Sequence, residues 1–304
     1  MVLGSDTTSN VRIFDRRAVR RHRNRAAAAF SDHDFLFREV ADRLSDRLAD
    51  INRTFDRAAE IGASGDILRE ALSPIRKVNS LIRTGQAGSA TDLIADEEFQ
   101  PFADESLDLV VSNLSLHWTN DLPGALIQIR RALKPDGLFM ASMLGGDTLM
   151  ELRHVLMEAE TSVAGGVSPR VSPFADLGDA AALLQRAGYA LPVADMDTIT
   201  VTYSDALALM HDLRGMGETN AVADRIKGFS RRAVLLDAAA RYTEIYGGED
   251  GRIPATFQIL FFAGWAPHTS QQKALAPGSA TTRLAEALGT DEVSAGEKPS
   301  TKGN

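Results

Sequence analysis

The stretch "LDLVVSNLSLHWTNDLPGALIQIRRALKPDGLFMASM", Leu107–Met143, decides the fold of this chain. Its first six residues, Leu107–Ser112, are mostly apolar and predict a buried strand. Apolar residues at helical spacing follow over Leu122–Lys134, and the turn sequence "KPDG" at Lys134–Gly137 separates this helix from a second strand, Leu138–Met143. A strand, a helix and a strand joined by short connections indicate a parallel sheet covered by helices.

The same alternation extends in both directions from this stretch. Further strands are predicted near Arg57–Ile61, Val78–Ile82, Asp92–Ala95 and Ala255–Pro267, further helices near Asp66–Leu72 and Thr148–Glu160, and a helix capped by Ser31 before the first strand. Ala190–Ser204 is predicted as a strand pair or as one long bent strand. Residues 205–246 are predicted to form a helical insertion before the last strand.

Composition restricts the possible functions. With 304 residues the chain can bury a sizeable core as one large domain. Its net charge of −8 argues against general nucleic-acid binding, and the absence of cysteine excludes disulfides, thiolate nucleophiles and cysteine-ligated metals. No stretch approaches the roughly 20 apolar residues of a membrane helix. The arginine-rich segment between residues 12 and 25 predicts a solvated helix or a patch facing an acidic partner, with a transit peptide as the alternative.

The run from Ala95 to Arg153 closely resembles class I S-adenosylmethionine-dependent methyltransferases, with an acidic pair after the third strand, "LDLVVSN" as the fourth and "LKPDG" before the fifth. More narrowly, "SNLSLHWTNDLP", "MLGGDTLMELR", "LMHDLRGMGETNA" and "ATFQILFFAGW" are similar to the methyltransferase-like assembly factors of respiratory complex I. The similarity covers about residues 11–265.

This resemblance implies a class I methyltransferase fold, which is a Rossmann-like, doubly wound α/β fold. Its seven-stranded sheet has the last strand antiparallel to the rest. The predicted domains are a basic N-terminal extension (1–30), a methyltransferase-like domain (31–267) with the helical insertion at 205–246, and a disordered tail (268–304).

The cofactor that the resemblance implies is S-adenosylmethionine, and ligands of such sheets bind at the carboxyl ends of the strands. The turn "EIGASG", Glu60–Gly65, carries two glycines where three are usual, and taken alone it is a weak signal. The predicted cofactor-binding residues are Glu60, Gly62 and Gly65 beside the methionine part and the ribose, Asp96 and Glu97 at the adenine, and Asn113 and Leu114 beside the sulfonium.

The carboxylate that usually binds the ribose hydroxyls is missing from the sequence. No Asp or Glu occurs between Ala71 and Thr91, and Gly85 stands roughly where this acid is expected. Either a polar group such as Gln86 takes its place, or the affinity for the cofactor is weakened or lost.

The acceptor site is expected beyond the fourth strand and beneath the insertion. His117 and Trp118 are predicted to face the acceptor, the imidazole as a possible base and the indole as a wall, although such a pair is more often packing. The segment "HDLRGMGETNA", His211–Ala221, is predicted as a lid in which Glu218 and Asp212 can bind the fork of an arginine, with a plain helix–helix loop as the alternative. The predicted catalytic residues are His117, Trp118 and Glu218, and the predicted substrate-binding residues are Gly145, Asp147, Asp212, Met216 and Asn220.

Three functions stay open at this point. The first, implied by the resemblance, modifies an arginine on an iron–sulfur-cluster subunit of complex I, by hydroxylation rather than methylation. The second methylates a small or carrier-bound carboxyl acceptor, as in the neighbouring family of biotin synthesis. The third is a non-catalytic assembly scaffold.

The remaining expectations concern metal, partner and location. No metal site is predicted, because none of the six histidines begins a His-x-Asp or His-x-Glu pair. A protein partner is expected, without nucleic acid and without an integral membrane segment. The expected location is the bacterial cytoplasm, with the matrix side of a mitochondrion as the alternative.

Overall fold

The computed structural model describes residues 12–86, 91–272, 279, 282–291 and 296. The chain divides into two compact units, Met1–His268 and Thr269–Asn304. In the second unit the described residues include a short helix at Leu284–Leu288, within the segment predicted to be a disordered tail.

A mixed sheet forms the centre of the first unit. Its strands are β1 (Ala58–Ile61), β2 (Leu81–Gly85), β3 (Leu93–Ile94), β4 (Leu107–Ser112), β5 (Leu133–Leu144), β6 (Ala190–Tyr203) and β7 (Ile253–Trp265). In the described part of the chain these seven strands are ordered β3-β2-β1-β4-β5-β7-β6. β1 to β5 are parallel, whereas β7 runs antiparallel to both of its neighbours. The class I methyltransferase topology is therefore confirmed.

Helices cover both faces of this sheet. They are α1 (Arg16–Ala26), α2 (Phe35–Ala49), α3 (Ile67–Leu72), α4 (Leu122–Ala132), α5 (Met150–Ala164), α6 (Leu177–Arg186), α7 (Ala206–Gly215) and α8 (Arg232–Tyr246). Apolar residues of α2, α3, α5, α7 and α8 pack with Phe257 and Ile259 on one face, and those of α4 and α6 pack with Phe139 and Leu260 on the other. α7 and α8 lie between β6 and β7, in the segment where the sequence analysis expects a helical insertion. Within the described ranges no helix is both long and apolar enough to cross a bilayer.

The second strand lies further along the chain than the apolar pattern predicts. Val78 makes only an isolated bridge to Phe55, whereas regular pairing with β1 begins at Leu81 and continues to Thr84. Gly85 is consequently the last residue of β2, at the carboxyl edge of the sheet. Residues 87–90 of the following loop lie outside the described residues.

The turn predicted at Lys134–Gly137 is part of β5 instead of preceding it. The pairing between β4 and β5 changes register between Leu107 and Leu109, and Asp136 has a φ of 63°. A strand irregularity therefore takes the place of a free turn. β6 is the single long strand among the two predicted possibilities, with a register shift between Ala190 and Val193.

The turn after β1 brings a glycine against the loop after β4. Gly62 has a φ of 72°, and a Cβ atom added to it would lie 1.8 Å from Ser115 Oγ. Gly65 has a similar φ of 69°, but an added Cβ would meet nothing within 4 Å. Both positions need a left-handed backbone, but only Gly62 also has a steric reason to lack a side chain.

These two glycines allow backbone strain and steric conflict to be separated. We expect Gly65→Ala to lower the free energy of unfolding by about 1 kcal/mol, because alanine tolerates the left-handed region poorly. Gly62→Ala should cost a further 1–3 kcal/mol or so, because it also overpacks the contact with Ser115. Urea denaturation of both variants measures the difference. Equal losses of stability would mean that Ser115 moves aside without cost.

Candidate active site

Loops after β1, β3 and β4 meet at the carboxyl edge of the sheet. Gly62 after β1 contacts Ser115 after β4, and a Cβ on Gly62 would lie 3.3 Å from the Oε1 atom of Glu97, which follows β3. The structure therefore brings together residues that the sequence predicts at the cofactor: Gly62 from the glycine turn and Glu97 from the acidic pair.

Glu97 is a buried carboxylate that is compensated within the chain. Its side chain is 1% exposed. Arg23 Nη1 donates to Oε1 at 2.8 Å, Ser115 Oγ donates to the same atom at 2.9 Å, and Arg16 donates to Oε2. Burial raises the pKa of Glu97, but the positive charges of Arg23 and Arg16 outweigh burial and hold this pKa at about 2.

Both arginines come from α1, in the arginine-rich segment. They lie seven residues apart, which is about two helical turns, so they occupy one face of the helix. Arg16 also donates to Asp96 Oδ1 at 2.7 Å. Both acidic residues predicted at the adenine are thus paired with α1. Sequence analysis does not place Arg16 or Arg23 in the site. Two features of the sequence could have indicated them. Arg16 and Arg23 are seven residues apart, and they lie on the same side of the helix as the buried Val19 and Ala26.

Glu60 and Arg83 are two buried ionisable side chains beside the glycine turn. They are register partners on β1 and β2. Glu60 is 2% exposed, its Oε2 atom has no hydrogen-bond partner among the described residues, and burial raises its pKa to about 8 against the opposing effect of Arg83. Arg83 donates to Gly65 O at 3.2 Å and to the carboxylate of Asp66. Arg83 is a third arginine that sequence analysis does not predict in the site.

S-adenosylmethionine fits these residues in part. The unpaired Oε2 atom of Glu60 is a buried acceptor, and the open turn at Gly65 allows a ligand to approach the backbone. At the end of β2, however, Gly85 provides no carboxylate for the ribose hydroxyls. The site thus offers groups for the amino-acid part of the cofactor and lacks the usual ribose carboxylate at that strand end.

Asn113 and Leu114 belong to the scaffold of the same edge. Asn113 Nδ2 donates to Phe37 O at 2.9 Å, and its Oδ1 accepts from Ser142 Oγ at 3.0 Å. Leu114 is buried with a φ of 47°, and its N–H donates to Ser142 Oγ at 3.1 Å. The side-chain polar atoms of Asn113 therefore connect β4 to α2 and β5.

The residues predicted as catalytic lie together on the other side of the loop after β4. His117 Nε2 lies 3.0 Å from Glu218 Oε2, and Trp118 Nε1 donates to this same oxygen at 3.0 Å. The side chains of His117 and Glu218 are 1% and 5% exposed. Glu218 Oε1 and His117 Nδ1 are buried without a hydrogen-bond partner among the described residues. Two ring nitrogens thus fix one carboxylate oxygen and leave the other available.

Glu218 borders a cavity of about 550 Å³. Apolar side chains line most of it: Leu36, Leu144, Leu149, Leu152, Leu156, Val171, Phe174, Leu207, Met210, Leu213, Met216, Leu235, Phe257 and the ring of Trp118. Its polar lining residues are Arg170, Ser172, His211, Arg214, Glu218, Thr219, Asn220 and Ser230. Arg170 is neutralised by Glu160, which its Nε reaches at 2.6 Å. Glu218 is the carboxylate in this lining, and we call this space the acceptor cavity.

Two of the five predicted substrate-binding residues line the acceptor cavity, and Asp212, Gly145 and Asp147 do not. Met216 is buried in its wall. Asn220 also lines it, while its Nδ2 donates to Pro169 O at 2.6 Å. Asp212 is not among the lining residues: its two oxygens lie 2.5 Å from His33 Nδ1 and 2.8 Å from Tyr203 OH. That carboxylate is therefore already occupied.

Gly145 and Asp147 lie where β5 passes into α5. Gly145 N donates to Gln258 O at 2.7 Å, and Asp147 Oδ2 accepts from Gln258 Nε2 at 3.0 Å. Neither residue lines the acceptor cavity; Asp147 borders a neighbouring groove that shares Arg170 and Phe174 with it.

His22 and His154 each contact a different part of the chain. His22 Nδ1 lies 3.0 Å from Thr219 O, and His154 Nδ1 lies 2.8 Å from Tyr246 OH. Among the residues that the structure describes, no three His, Asp or Glu side chains are grouped so that they could share a metal ion.

Comparison with known proteins identifies relatives of this chain. A model described as "Methyltransferase domain" matches residues 75–141. The mitochondrial arginine-hydroxylase NDUFAF5 of Homo sapiens is 43% identical over 295 residues, which cover 93% of this chain and 85% of the human protein. Malonyl-[acyl-carrier protein] O-methyltransferase of a Methylovorus strain is 33% identical, over 86% of this chain and 92% of that enzyme. The YcgJ protein of Bacillus subtilis has the same fold, with a TM-score of 0.50 at 16% identity, over 75% of this chain and 98% of that one.

The buried cluster around Glu97 predicts a pH-dependent stability. The pKa of Glu97 is about 2 in the folded chain, below the ordinary value of 4.5. Ionised Glu97 therefore contributes about 3 kcal/mol to the free energy of unfolding. Because the folded pKa is the lower one, this contribution is complete above about pH 5 and is lost as the pH falls toward about 2. We expect Glu97→Gln to lower the free energy of unfolding by about 3 kcal/mol at neutral pH.

Urea titrations at several pH values between about 4 and 7 compare this variant with the wild type. The stability difference should shrink as the pH falls, and the contribution of Glu60 cancels because both proteins contain it. Glu158→Gln, in a half-exposed ion pair of α5, is the control and should change stability by less than about 1 kcal/mol. A difference that does not change with pH would show that Glu97 is not the titrating group.

Proposed function

Because the chain belongs to the family of the arginine-hydroxylase NDUFAF5 proteins, we propose that it hydroxylates an arginine side chain of a protein partner during assembly of respiratory complex I. The partner is an iron–sulfur-cluster subunit of that complex, as the family resemblance implies. The relatives with 43% identity are named mitochondrial, which favours the matrix side of a mitochondrion as the place of action.

One observation carries this proposal: the buried carboxylate of Glu218 has an unpaired oxygen at the acceptor cavity. A guanidinium group is planar, always charged and rich in N–H donors, so it is the side chain that best matches such a carboxylate. The apolar walls of the cavity suit the aliphatic stem of arginine. His117 and Trp118 orient Glu218 through its other oxygen.

In this proposal the chain's own residues bind, orient and shield the arginine. Glu218 binds the guanidinium, and Trp118 and Met216 form walls that exclude water around it. Shielding strengthens the ion pair because the surrounding dielectric constant is low. His117 is a positioning residue through its contact with Glu218, and Asp212, being occupied by His33 and Tyr203, has no part in binding the substrate. Inserting the oxygen atom requires dioxygen and an electron donor.

We further propose that S-adenosylmethionine binds weakly at the carboxyl edge of the sheet. Its binding residues would be Glu60, Gly62, Gly65, Asn113 and Leu114, with Asp96 and Glu97 at the adenine. When bound, this cofactor supplies an activated methyl group. The absence of a carboxylate at Gly85 and the pairing of Asp96 and Glu97 with α1 support low affinity.

Replacing the Glu218 carboxylate by an amide tests the arginine site. Glu218→Gln keeps an oxygen that can accept from Trp118 and removes the negative charge, so the fold should be retained. A charge-assisted hydrogen bond contributes about 1.5–3 kcal/mol, so binding of the purified subunit should weaken about ten- to a hundredfold and its hydroxylation should be lost. Calorimetry measures binding, and mass spectrometry of the subunit detects the added oxygen.

Glu244→Gln, a substitution at an exposed position on α8, is the control. It should leave both the binding and the hydroxylation of the subunit unchanged. Wild-type binding and hydroxylation by a folded Glu218→Gln protein would remove Glu218 from the site.

Restoring the missing carboxylate tests the cofactor site. Gly85→Asp places an acid at the end of β2, where it can accept hydrogen bonds from the ribose, and affinity for S-adenosylhomocysteine should rise about tenfold. Gly85→Asn has the same shape without the charge and should give little gain. Calorimetric titration distinguishes the variants. An unchanged affinity in folded Gly85→Asp would place the ribose elsewhere.

A further inference from the structure

Two exposed arginines border one side of the acceptor cavity, and a third lies one turn away on the helix that carries one of them. Arg214 is itself a lining residue, and Arg25 donates from Nη2 to Thr219 Oγ1 at 3.1 Å, where Thr219 is also a lining residue. Arg21 precedes Arg25 by four residues on α1, so both lie on the same side of that helix. All three are exposed. We call Arg21, Arg25 and Arg214 the basic rim.

The basic rim has no compensating acid in the described part of the chain. Arg21, Arg25 and Arg214 form no salt bridge there, whereas every arginine of α2 pairs with a carboxylate, as Arg43 does with Glu39 at 2.7 Å. The chain as a whole carries a net charge of −8, so acidic residues are plentiful elsewhere. The basic rim thus places positive charge beside the acceptor cavity in a chain whose net charge is negative.

The positive charges of the basic rim lower the pKa values of basic groups within and beside it. Burial lowers the pKa of Arg25, and the nearby charge of Arg214 lowers it further. His22, which contacts the backbone of Thr219, has a pKa lowered to about 4 by burial and by Arg25, with Arg225 and Arg21 adding to the effect. Like charges held this close repel one another, and an anionic partner relieves the repulsion.

The rim and the interior of the cavity have opposite charge. Inside, Glu218 attracts a guanidinium; outside, the basic rim repels free arginine and any arginine with basic neighbours. We propose that the basic rim determines specificity by docking a segment of the protein partner in which acidic residues flank the target arginine. This proposal rests on the proposed function, since it names the surroundings of the arginine that enters the acceptor cavity.

A protein is the anionic partner that these observations favour. The overall charge of −8 repels extended polyanions such as nucleic acid or an anionic bilayer, whereas a short acidic segment meets only the local rim. The rim lies beside a cavity whose carboxylate suits an arginine, a group that neither nucleic acid nor lipid presents.

Three fluorescent peptides test the proposal by anisotropy at low salt. The first has a central arginine flanked by aspartates and glutamates, the second a central arginine flanked by lysines, and the third the acidic flanks with leucine in place of arginine. We expect the first peptide to bind about tenfold more tightly than the second, and this preference to fade at high salt. The third peptide should bind more weakly than the first because Glu218 then has no partner.

Charge reversal at the rim supplies the decisive comparison. Arg25→Glu/Arg214→Glu should abolish or invert the preference for acidic flanks. Arg57→Glu/Arg186→Glu is the matched control: both arginines are exposed, away from the acceptor cavity, and the net charge changes by the same amount. An equal effect of the two double variants, or no preference in the wild type, would overturn the rim proposal.

The peptide pair that differs only in arginine and leucine reports separately on the proposed function. Equal binding of these two peptides would contradict the proposal that an arginine binds Glu218. It would not affect the comparison between acidic and basic flanks, which tests the basic rim separately. Vesicles containing anionic lipid and a single-stranded oligonucleotide complete the test. If rim reversal weakens binding of either of these as strongly as it weakens the acidic peptide, the rim is a general polyanion site and the proposal is wrong.

Discussion

The buried carboxylate of Glu97 is the constraint on which the arrangement of the site depends. A charge with 1% exposure is strongly unfavourable unless opposite charge and hydrogen bonds reach it. Apart from the two arginines, Ser115 in the loop after β4 is the side chain among the described residues that donates to Glu97. Arg16 and Arg23 therefore have to come from outside the sheet, and their attachment to Glu97 determines where α1 lies.

The position of α1 has consequences at the acceptor cavity. Phe14, just before the helix, packs edge-on against Trp118 with 5.3 Å between ring centroids. Asp15 N donates to Ala221 O at 2.8 Å, and His22 contacts Thr219 O, so the same segment also supports the loop that carries Glu218. One helix thus contacts the acidic pair after β3 and the loop that carries Glu218. A displacement of α1 would alter both.

Sequence analysis could predict the sheet and the triad of His117, Trp118 and Glu218 for different reasons. The buried strands have apolar runs whose period is local, so the pattern itself predicts them. The grouping of His117, Trp118 and Glu218 depends on a family resemblance. Trp118 and Glu218 are 100 residues apart, and no rule of sequence spacing connects them.

The sequence analysis does not predict Arg16, Arg23 and Arg83 in the site, because an arginine in an amphipathic or basic run normally faces water. Only the fold shows that Arg16 and Arg23 meet the buried carboxylate of Glu97 and that Arg83 is itself buried beside β1. Asp212 shows the converse: its position in the predicted lid segment suggests a free acid, but in the structure it lies in α7, and His33 and Tyr203 already bind it.

Glu97 and Glu218, two of the buried carboxyl groups of the site, differ in how fully their hydrogen-bonding capacity is used. Glu97 is bound by two guanidinium groups and a hydroxyl, which leaves neither oxygen without a donor. Glu218 has both of its ring-nitrogen contacts on one oxygen and none on the other. The chain therefore contains, at Glu97, an internal example of the arginine–carboxylate pair that the proposed function requires at Glu218. What Arg16 and Arg23 do for Glu97 is what an arginine of the partner would do for Glu218, and a cavity beside the unpaired oxygen gives that arginine a place to bind.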